Sequence, residues 1–250
     1  MGPKTRKACR ASLESWGVSL RGTVRDENQD SFLNWPERSL WAVADGVASG
    51  EQGGVASRMV MEKLLRVERP DTLDAHVANI GRALEEANRQ LHAWGADAGK
   101  LTASTAVALC IHEGRAVCLW AGDSRCFLLR GGALYQCTRD HTLRQEKIDS
   151  GELTRFEAFR MVKGNILTNA VGVKDELTLG KQALSLRAGD RFLLCSDGLT
   201  AVLSLDALGA HLSGSSARDA LRTMTEALSD LHQPDNITCI VVFVSELERV

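Results

Sequence analysis

The sequence predicts an α+β fold in which antiparallel sheets are covered by helices. Three observations predict it. Short apolar runs are punctuated by Gly turns, as in β-hairpins. Two stretches carry apolar residues at helical spacing. The order of elements is strands, a helix pair, strands, helices and a last strand, unlike the strict alternation that builds a parallel sheet.

Taken in order, apolar alternation reads as strand over Val18 to Val24, Ser31 to Trp35 and Leu40 to Ala44. Two helices follow. Val60, Leu64 and Val67 share a face of the first. Leu73, Val77, Ile80, Leu84, Ala87, Leu91 and Trp94 mark the second, with Asp71 or Thr72 after Pro70 as its N-cap. A meander comes next: Ala106 to Ile111 turns at Glu113-Gly114 into Ala116 to Trp120, and Cys126 to Leu129 turns at Gly131-Gly132 into Leu134 to Cys137. Residues 142–164 read as helical or irregular. Leu177 to Leu184 and Arg191 to Cys195 return to strand, and Ala217, Leu221, Met224, Leu228 and Leu231 mark an amphipathic helix. Ile237 to Val244 is the last strand. Residues 1–12 read as a flexible N-terminal segment and 13–250 as a single domain.

Composition narrows the function classes. The 250 residues are 44% hydrophobic and 25% charged, ordinary for a globular protein. A net charge of -2 provides no basic field for nucleic acid or an anionic membrane. The basic start, Lys4 to Arg10, has no apolar signal core behind it, and no apolar run approaches the roughly 20 residues of a membrane helix. The expected location is cytoplasmic. The seven cysteines form no C-x-x-C pair, so they read as reduced core thiols.

The chemistry lies in where the aspartates fall. Asp45 ends the run Leu40 to Ala44 and precedes Gly46; Asp197 follows Phe192 to Ser196 and precedes Gly198; Asp123 follows Val117 to Gly122. Asp235-Asn236 precedes the final strand, and Asp30 follows Arg25-Asp26-Glu27-Asn28-Gln29. A carboxylate at the end of a buried strand is held rigidly near the core. Several of them in one place repel unless a cation lies between. All-oxygen ligands suit Mg²⁺ or Mn²⁺, whereas zinc prefers His and Cys. Gly after Asp lets backbone approach closely, so that its carbonyl can also ligate. Singly, each Asp-Gly reads equally as a turn; the ordered set carries the inference.

That set is Arg25-x-x-Asn28-Gln29-Asp30, Asp45-Gly46, Gly122-Asp123-Ser124-Arg125, Thr138-Arg139-Asp140-His141, Ser196-Asp197-Gly198 and Asp235-Asn236. It resembles the metal-dependent protein phosphatases of type 2C in their compact bacterial form, from Gly17 to about Val244. The resemblance implies a four-layer α-β-β-α sandwich of two antiparallel sheets flanked by helices, with metals in a cleft at one edge. It implies two Mn²⁺ or Mg²⁺ ions bridged by Asp45, with the Gly46 carbonyl, Asp197 and Asp235 as further ligands. Asp123, with Asp197, matches a looser third position. Arg25 matches the phosphate-binding arginine, and Asn28, Gln29, Asp30 and Asn236 stand as supports around the ligands.

The implied reaction is hydrolysis of phosphoserine or phosphothreonine in proteins by a water activated between two cations, attacking in line with no phosphoenzyme. The implied partners are phosphorylated proteins, substrates of a Ser/Thr kinase, met by a monomer. Two other readings stand beside it: a catalytically weak phosphoprotein-binding regulator, and a hydrolase of small phosphoesters. Two positions depart from the family pattern. Gln29 stands where a glutamate is frequent, which removes a charge near one metal. Val47-Ala48-Ser49-Gly50 stands where relatives often carry a histidine read as general acid. His141 reads as structural. Residues 144–170 match a variable flap bordering the cleft, whose charges suit either substrate selection or a solvated face.

Overall fold

The computed structural model describes residues 9–48, 52–164 and 166–249. In chain order these form β1 (Cys9–Leu20), β2 (Asp30–Trp35), a 3-10 turn (Pro36–Arg38), β3 (Leu40–Ala48), α1 (Gln52–Leu64) and α2 (Leu73–Ala98). Then come β4 (Thr102–Ser104), β5 (Ala106–His112), β6 (Arg115–Ala121), β7 (Arg125–Arg130), β8 (Ala133–Gln136), α3 (Leu143–Asp149) and α4 (Arg155–Met161). The last third holds β9 (Gly180–Ser185), β10 (Arg191–Cys195), α5 (Asp197–Val202), α6 (Leu205–Leu212), α7 (Ala217–Ser229) and β11 (Ile237–Arg249).

Two antiparallel sheets result. One runs β1-β11-β10-β7-β8; the other runs β2-β3-β5-β6-β9, with β4 paired to the far end of β3. Side chains alternate across each strand, so one residue set faces the opposite sheet and the other faces the helices. Between the sheets lie Trp41, Val43, Val107 and Leu109 against Phe192, Leu194, Ile240 and Val242. Behind the second sheet, Leu40, Ala42 and Ala44 meet α1 and α2. Behind the first, Leu193, Cys195 and Val241 meet α5, α6 and α7. The four layers are therefore α-β-β-α, and β3 reads as an unbroken apolar run because both of its faces are buried.

The long helix α2 forms where the apolar spacing places it. Its buried stripe is Leu73, Val77, Ile80, Leu84, Ala87 and Leu91, each large member contributing about 1.5–3 kcal/mol. Thr72 is the N-cap, accepting from the Ala75 N–H at 3.3 Å, and Gly99 ends the helix in the left-handed region at φ 62°.

Three expectations are corrected. The strand expected over Val18 to Val24 is β1, which starts at Cys9 and stops at Leu20, where its partner β11 begins at Ile237. Residues 9–12, expected to be flexible, are thus paired backbone, held by Cys9↔Arg249 to Ser12↔Glu246; residues 1–8 lie outside the described residues. Finally, Asp45 does not end its strand: β3 runs on to Ala48 because β4 supplies Gly46, Val47 and Ala48 with new partners.

Candidate functional site

At one edge of the sandwich, chain segments that are remote in sequence enclose a cleft of about 490 Å³. Its polar wall is Arg25, Gln29, Asp45, Gly46, Asp123, Asp197, Asp235 and Asn236; its apolar rim is Val47, Leu101, Ile166, Leu167 and Val173. Asn28 and Asp30 stand behind the wall instead of lining it.

Each carboxylate is delivered by a different piece of secondary structure. Asp45 sits within β3, directly opposite Asp30 of β2. Its backbone is gripped by the residue that links β4 to β5: its N–H donates to Thr105 Oγ1 at 2.9 Å, and its carbonyl accepts from the Thr105 N–H at 2.8 Å. Asp123 lies in the corner between β6 and β7, and Asp197 opens α5 directly after β10. Asp235 precedes β11. The two Asp-Gly glycines are required by backbone approach. A Cβ on Gly46 would lie 1.9 Å from the Gly53 carbonyl oxygen of α1, and one on Gly198 would lie 2.1 Å from that of Asn236.

The loop after β1 brings Arg25 across. It is laced by Asn236, whose side-chain amide donates to the Arg21 and Glu27 carbonyls at 2.7 and 2.9 Å and whose Oδ1 accepts from the Gln29 N–H at 2.9 Å. Gln29 in turn accepts through its carbonyl from the Gly46 N–H at 3.1 Å and from Ser57 Oγ at 2.6 Å. Asn28 donates to Ser19 Oγ at 2.8 Å. Asn28, Gln29 and Asn236 therefore tie the loop to both sheets.

The electrostatics are those of crowded buried acids. Burial, then the charges of Asp30, Asp197, Asp123 and Asp235, hold the Asp45 carboxyl well above the usual carboxylate range. Burial and Asp197 push Asp123 up to about 7, with Asp140 adding to the rise and Arg125 opposing it. Asp30 is raised to about 6, mainly by burial, although Ser196 Oγ donates to its Oδ2 at 2.8 Å. Its Oδ1 is buried without a hydrogen bond of good geometry. Asp45, Asp123, Asp197 and Asp235 crowd into one cleft, and the repulsion among them is what a hard cation held by all-oxygen ligands relieves. No His or Cys lines this cleft among the described residues, so the donor set suits Mn²⁺ or Mg²⁺ better than zinc.

One pairing differs from expectation. Arg25 and Asp235, read separately as phosphate binder and metal ligand, grip each other: Nε to Oδ1 at 2.8 Å and Nη2 to Oδ2 at 2.7 Å. Guanidinium and carboxylate are matched bidentate partners, and Arg25 is the cation that faces Asp235 in this cleft. Among the described residues no three acidic, His or Cys side chains already stand as a closed metal cage.

His141 does not line the cleft. Its Nδ1 accepts from the Gly122 N–H at 3.3 Å and pairs with Asn169 Nδ2 at 2.8 Å, and its ring stacks on Trp120, as a structural histidine does. Of Val47 to Gly50, the stretch set against the family's histidine, Val47 lies on the apolar rim, and Ser49 and Gly50 lie outside the described residues. Sequence reasoning missed the apolar rim and a buried brace of Arg125, Asp140 and Thr200. The Arg and Asp of that brace stood in the motifs, but only the folded chain brings them together. The flap-like stretch forms the short helices α3 and α4, and Ile166 and Leu167 beyond them border the cleft.

Comparison with known proteins gives one consistent result. The profile of the protein phosphatase 2C family matches residues 23–241. The protein phosphatase PhpP of Streptococcus pneumoniae is 31% identical over 233 residues, covering 90% of this chain and 95% of its own length. Among solved structures, PppA, described as a key regulatory component of T6SS in Pseudomonas aeruginosa, superposes with a TM-score of 0.86 at 34% identity, over 94% of this chain and 99% of its own. The catalytic domain of the serine/threonine protein phosphatase PstP, solved with 2 manganese ions, superposes at 0.82 with 30% identity, over 94% and 99%.

Proposed function

The chain belongs to the protein phosphatase 2C family and is a metal-dependent protein serine/threonine phosphatase, and from that premise we propose which of its residues do the work. Asp45, Gly46, Asp197 and Asp235 hold two Mn²⁺ or Mg²⁺ ions, and Asp123 with Asp197 offers a third, looser position. Arg25 binds the phosphoryl group. Asn28, Gln29, Asp30 and Asn236 hold these residues in place. The observation that supports this most is the convergence of four aspartates and one arginine, from five separate segments, on a single cleft.

When bound, the cations supply Lewis acidity that activates water and draws charge from the phosphoryl oxygens. The chain's own residues do the rest. Burial and then its neighbours' charges hold the Asp45 carboxyl up, so a cation held there would favour its ionised form. Arg25 presents a planar fork that fits two phosphoryl oxygens as well as it fits Asp235, so a phosphoester competes for it directly. The rim of Leu101, Ile166, Leu167 and Val173 offers apolar contact to the substrate at the mouth of the cleft.

We further propose that residues 13–250 act as one catalytic domain. The enzyme works as a monomer in the cytoplasm on proteins phosphorylated by a Ser/Thr kinase. No helix among the described residues is long and apolar enough to cross a membrane.

The test is Mn²⁺-dependent hydrolysis of a phosphothreonine peptide beside a small aryl phosphate, with wild type and Asp45→Asn. Wild type is expected to hydrolyse the peptide, and the variant to lose at least about 1000-fold in kcat while keeping its circular dichroism spectrum. Full turnover by Asp45→Asn would refute the ligand assignment.

A further inference from the structure

Behind the Asp123 side of the cleft lies a second arginine that the proposed chemistry does not use. Arg125 opens β7 two residues after Asp123. Its side chain is 23% exposed, and that of its partner Asp140 is 12% exposed. Nε lies 3.1 Å from both Asp140 oxygens, and Nη2 donates to Asp140 Oδ2 at 2.6 Å. The remaining arm, Nη1, donates to Thr200 Oγ1 at 2.6 Å, and that hydroxyl donates to the Asp197 carbonyl at 2.9 Å. One guanidinium thus joins three separate motifs: the β6–β7 corner carrying Asp123, the segment after β8, and the first turn of α5 carrying Asp197.

The segment carrying Asp140 is itself fixed. Gln136 Nε2 donates to Asp140 Oδ1 at 3.0 Å, Trp120 Nε1 donates to the Arg139 carbonyl at 2.8 Å, and the His141 N–H donates to the Gly122 carbonyl at 2.9 Å. The corner holding Asp123 is therefore tied on both sides. Charge matters as well as reach. A bare guanidinium this close to Asp123 and Asp197 would attract their carboxylates and repel a dication. Asp140, bound along one edge of the fork, sets an opposing negative charge beside it, and the other arm is engaged by Thr200.

We infer that Arg125, compensated by Asp140 and linked through Thr200 to the Asp197 backbone, is the positioning residue that holds Asp123 and Asp197 ready to share a cation. This rests on the proposed reading of those aspartates as cation ligands. The role needs the fork: a lysine keeps the charge but cannot bind Asp140 along an edge and reach Thr200 together.

The experiment titrates the purified full chain with Mn²⁺ by isothermal titration calorimetry, with a thermal melt in EDTA and phosphopeptide kinetics alongside. Thr200→Val and Arg125→Lys are each expected to weaken the Mn²⁺ sites served by Asp123 and Asp197 by about tenfold, the usual effect of removing a support behind a metal ligand. KM for the peptide at saturating Mn²⁺ is expected to stay within about twofold. Thr200→Ser, which keeps the hydroxyl, is expected to bind Mn²⁺ as wild type does. Wild-type Mn²⁺ affinity in both Thr200→Val and Arg125→Lys overturns the inference, whatever happens to the melting temperature. Asp45→Asn separates the two levels. If it retains every Mn²⁺ site, the ligand reading itself fails; if it loses them while Thr200→Val does not, only the positioning role fails.

Discussion

Arg25 and Asp235 show how much two side chains can decide. Their bidentate pair is half exposed, so it contributes little to stability, and it can open at small cost. A phosphoester dianion offers Arg25 a second acceptor that the same fork can bind through two oxygens. Arg25→Ala is therefore expected to raise KM for a phosphothreonine peptide by about tenfold and to lower kcat less, read from steady-state kinetics at saturating Mn²⁺. A loss confined to kcat would assign the residue to the transition state alone. Gly46 is the opposite case, a residue with no functional group and no freedom to change. The Gly53 carbonyl passes 1.9 Å from where its Cβ would stand. Gly46→Ala is expected to cost about 2 kcal/mol or more in a urea melt, since α1 must lift from β3. Asp45, Asp123 and Asp197 were legible in the sequence because they end apolar runs, whereas Arg25, Gln29 and Asn236 were marked only by the resemblance to a known family. The Arg25–Asp235 pairing was not legible, since nothing in their spacing of some two hundred positions says that they meet.

Among the elements, α2 was read most completely. Its apolar repeat is long and its cap residue is explicit. The short pieces were harder. β4 spans Thr102–Ser104 and exists because β3 offers it a free edge, while α5 and α6 are too brief to show a period. β1 was placed too late although Cys9, Ala11 and Leu13 alternate with Arg10, Ser12 and Glu14, because residues 9–12 were read as part of a flexible terminus. It is the partner strand β11, more than two hundred residues away, that orders them. One polar group in α2 has a consequence that periodicity hides. His76 is fully buried, with no hydrogen-bond partner for either ring nitrogen, and its pKa is lowered from 6.5 to about 4, chiefly by burial and further by Arg69. The unfolded chain takes up the proton first as pH falls, so the stability tied to neutral His76 is present above about 6.5 and is lost as pH drops towards 4. Between about pH 7.5 and 5 the difference amounts to about 2 kcal/mol. His76→Leu is expected to remove that much of the pH dependence in urea melts. An unchanged dependence would mean that the ring gains a partner on protonation.

For the molecule as a whole, the cleft sets a trend of opposite sign. Asp123 and Asp30 have pKa values raised to about 7 and about 6, from a normal value of 3.8. In EDTA the folded state keeps these protons longer than the unfolded chain. Their contribution to stability is complete below about 3.8 and is lost as pH rises through 6 and 7. Cations compete with those protons, so Mn²⁺ binding strengthens as pH rises through that range. The expected outcome is a larger Mn²⁺-induced rise in melting temperature at about pH 8 than at about pH 6, with up to ~2.7 kcal/mol per site at a hundred times Kd. An equal rise at both values would separate Mn²⁺ binding from these carboxyls.

The pairing of β1 with β11 runs from Leu20↔Ile237 at the cleft end to Cys9↔Arg249 at the other. The two strand ends at Cys9 and Arg249 therefore emerge side by side, on the border of the sandwich remote from the catalytic mouth. A short flexible tether joining Cys9 directly to Arg249 would close residues 9–249 into a continuous loop. Fresh ends could then be opened at the Gly131-Gly132 hairpin, where an added Cβ meets nothing within 4 Å. Such a rewired chain should keep its turnover, because neither the tether nor the cut touches a residue that lines the cleft.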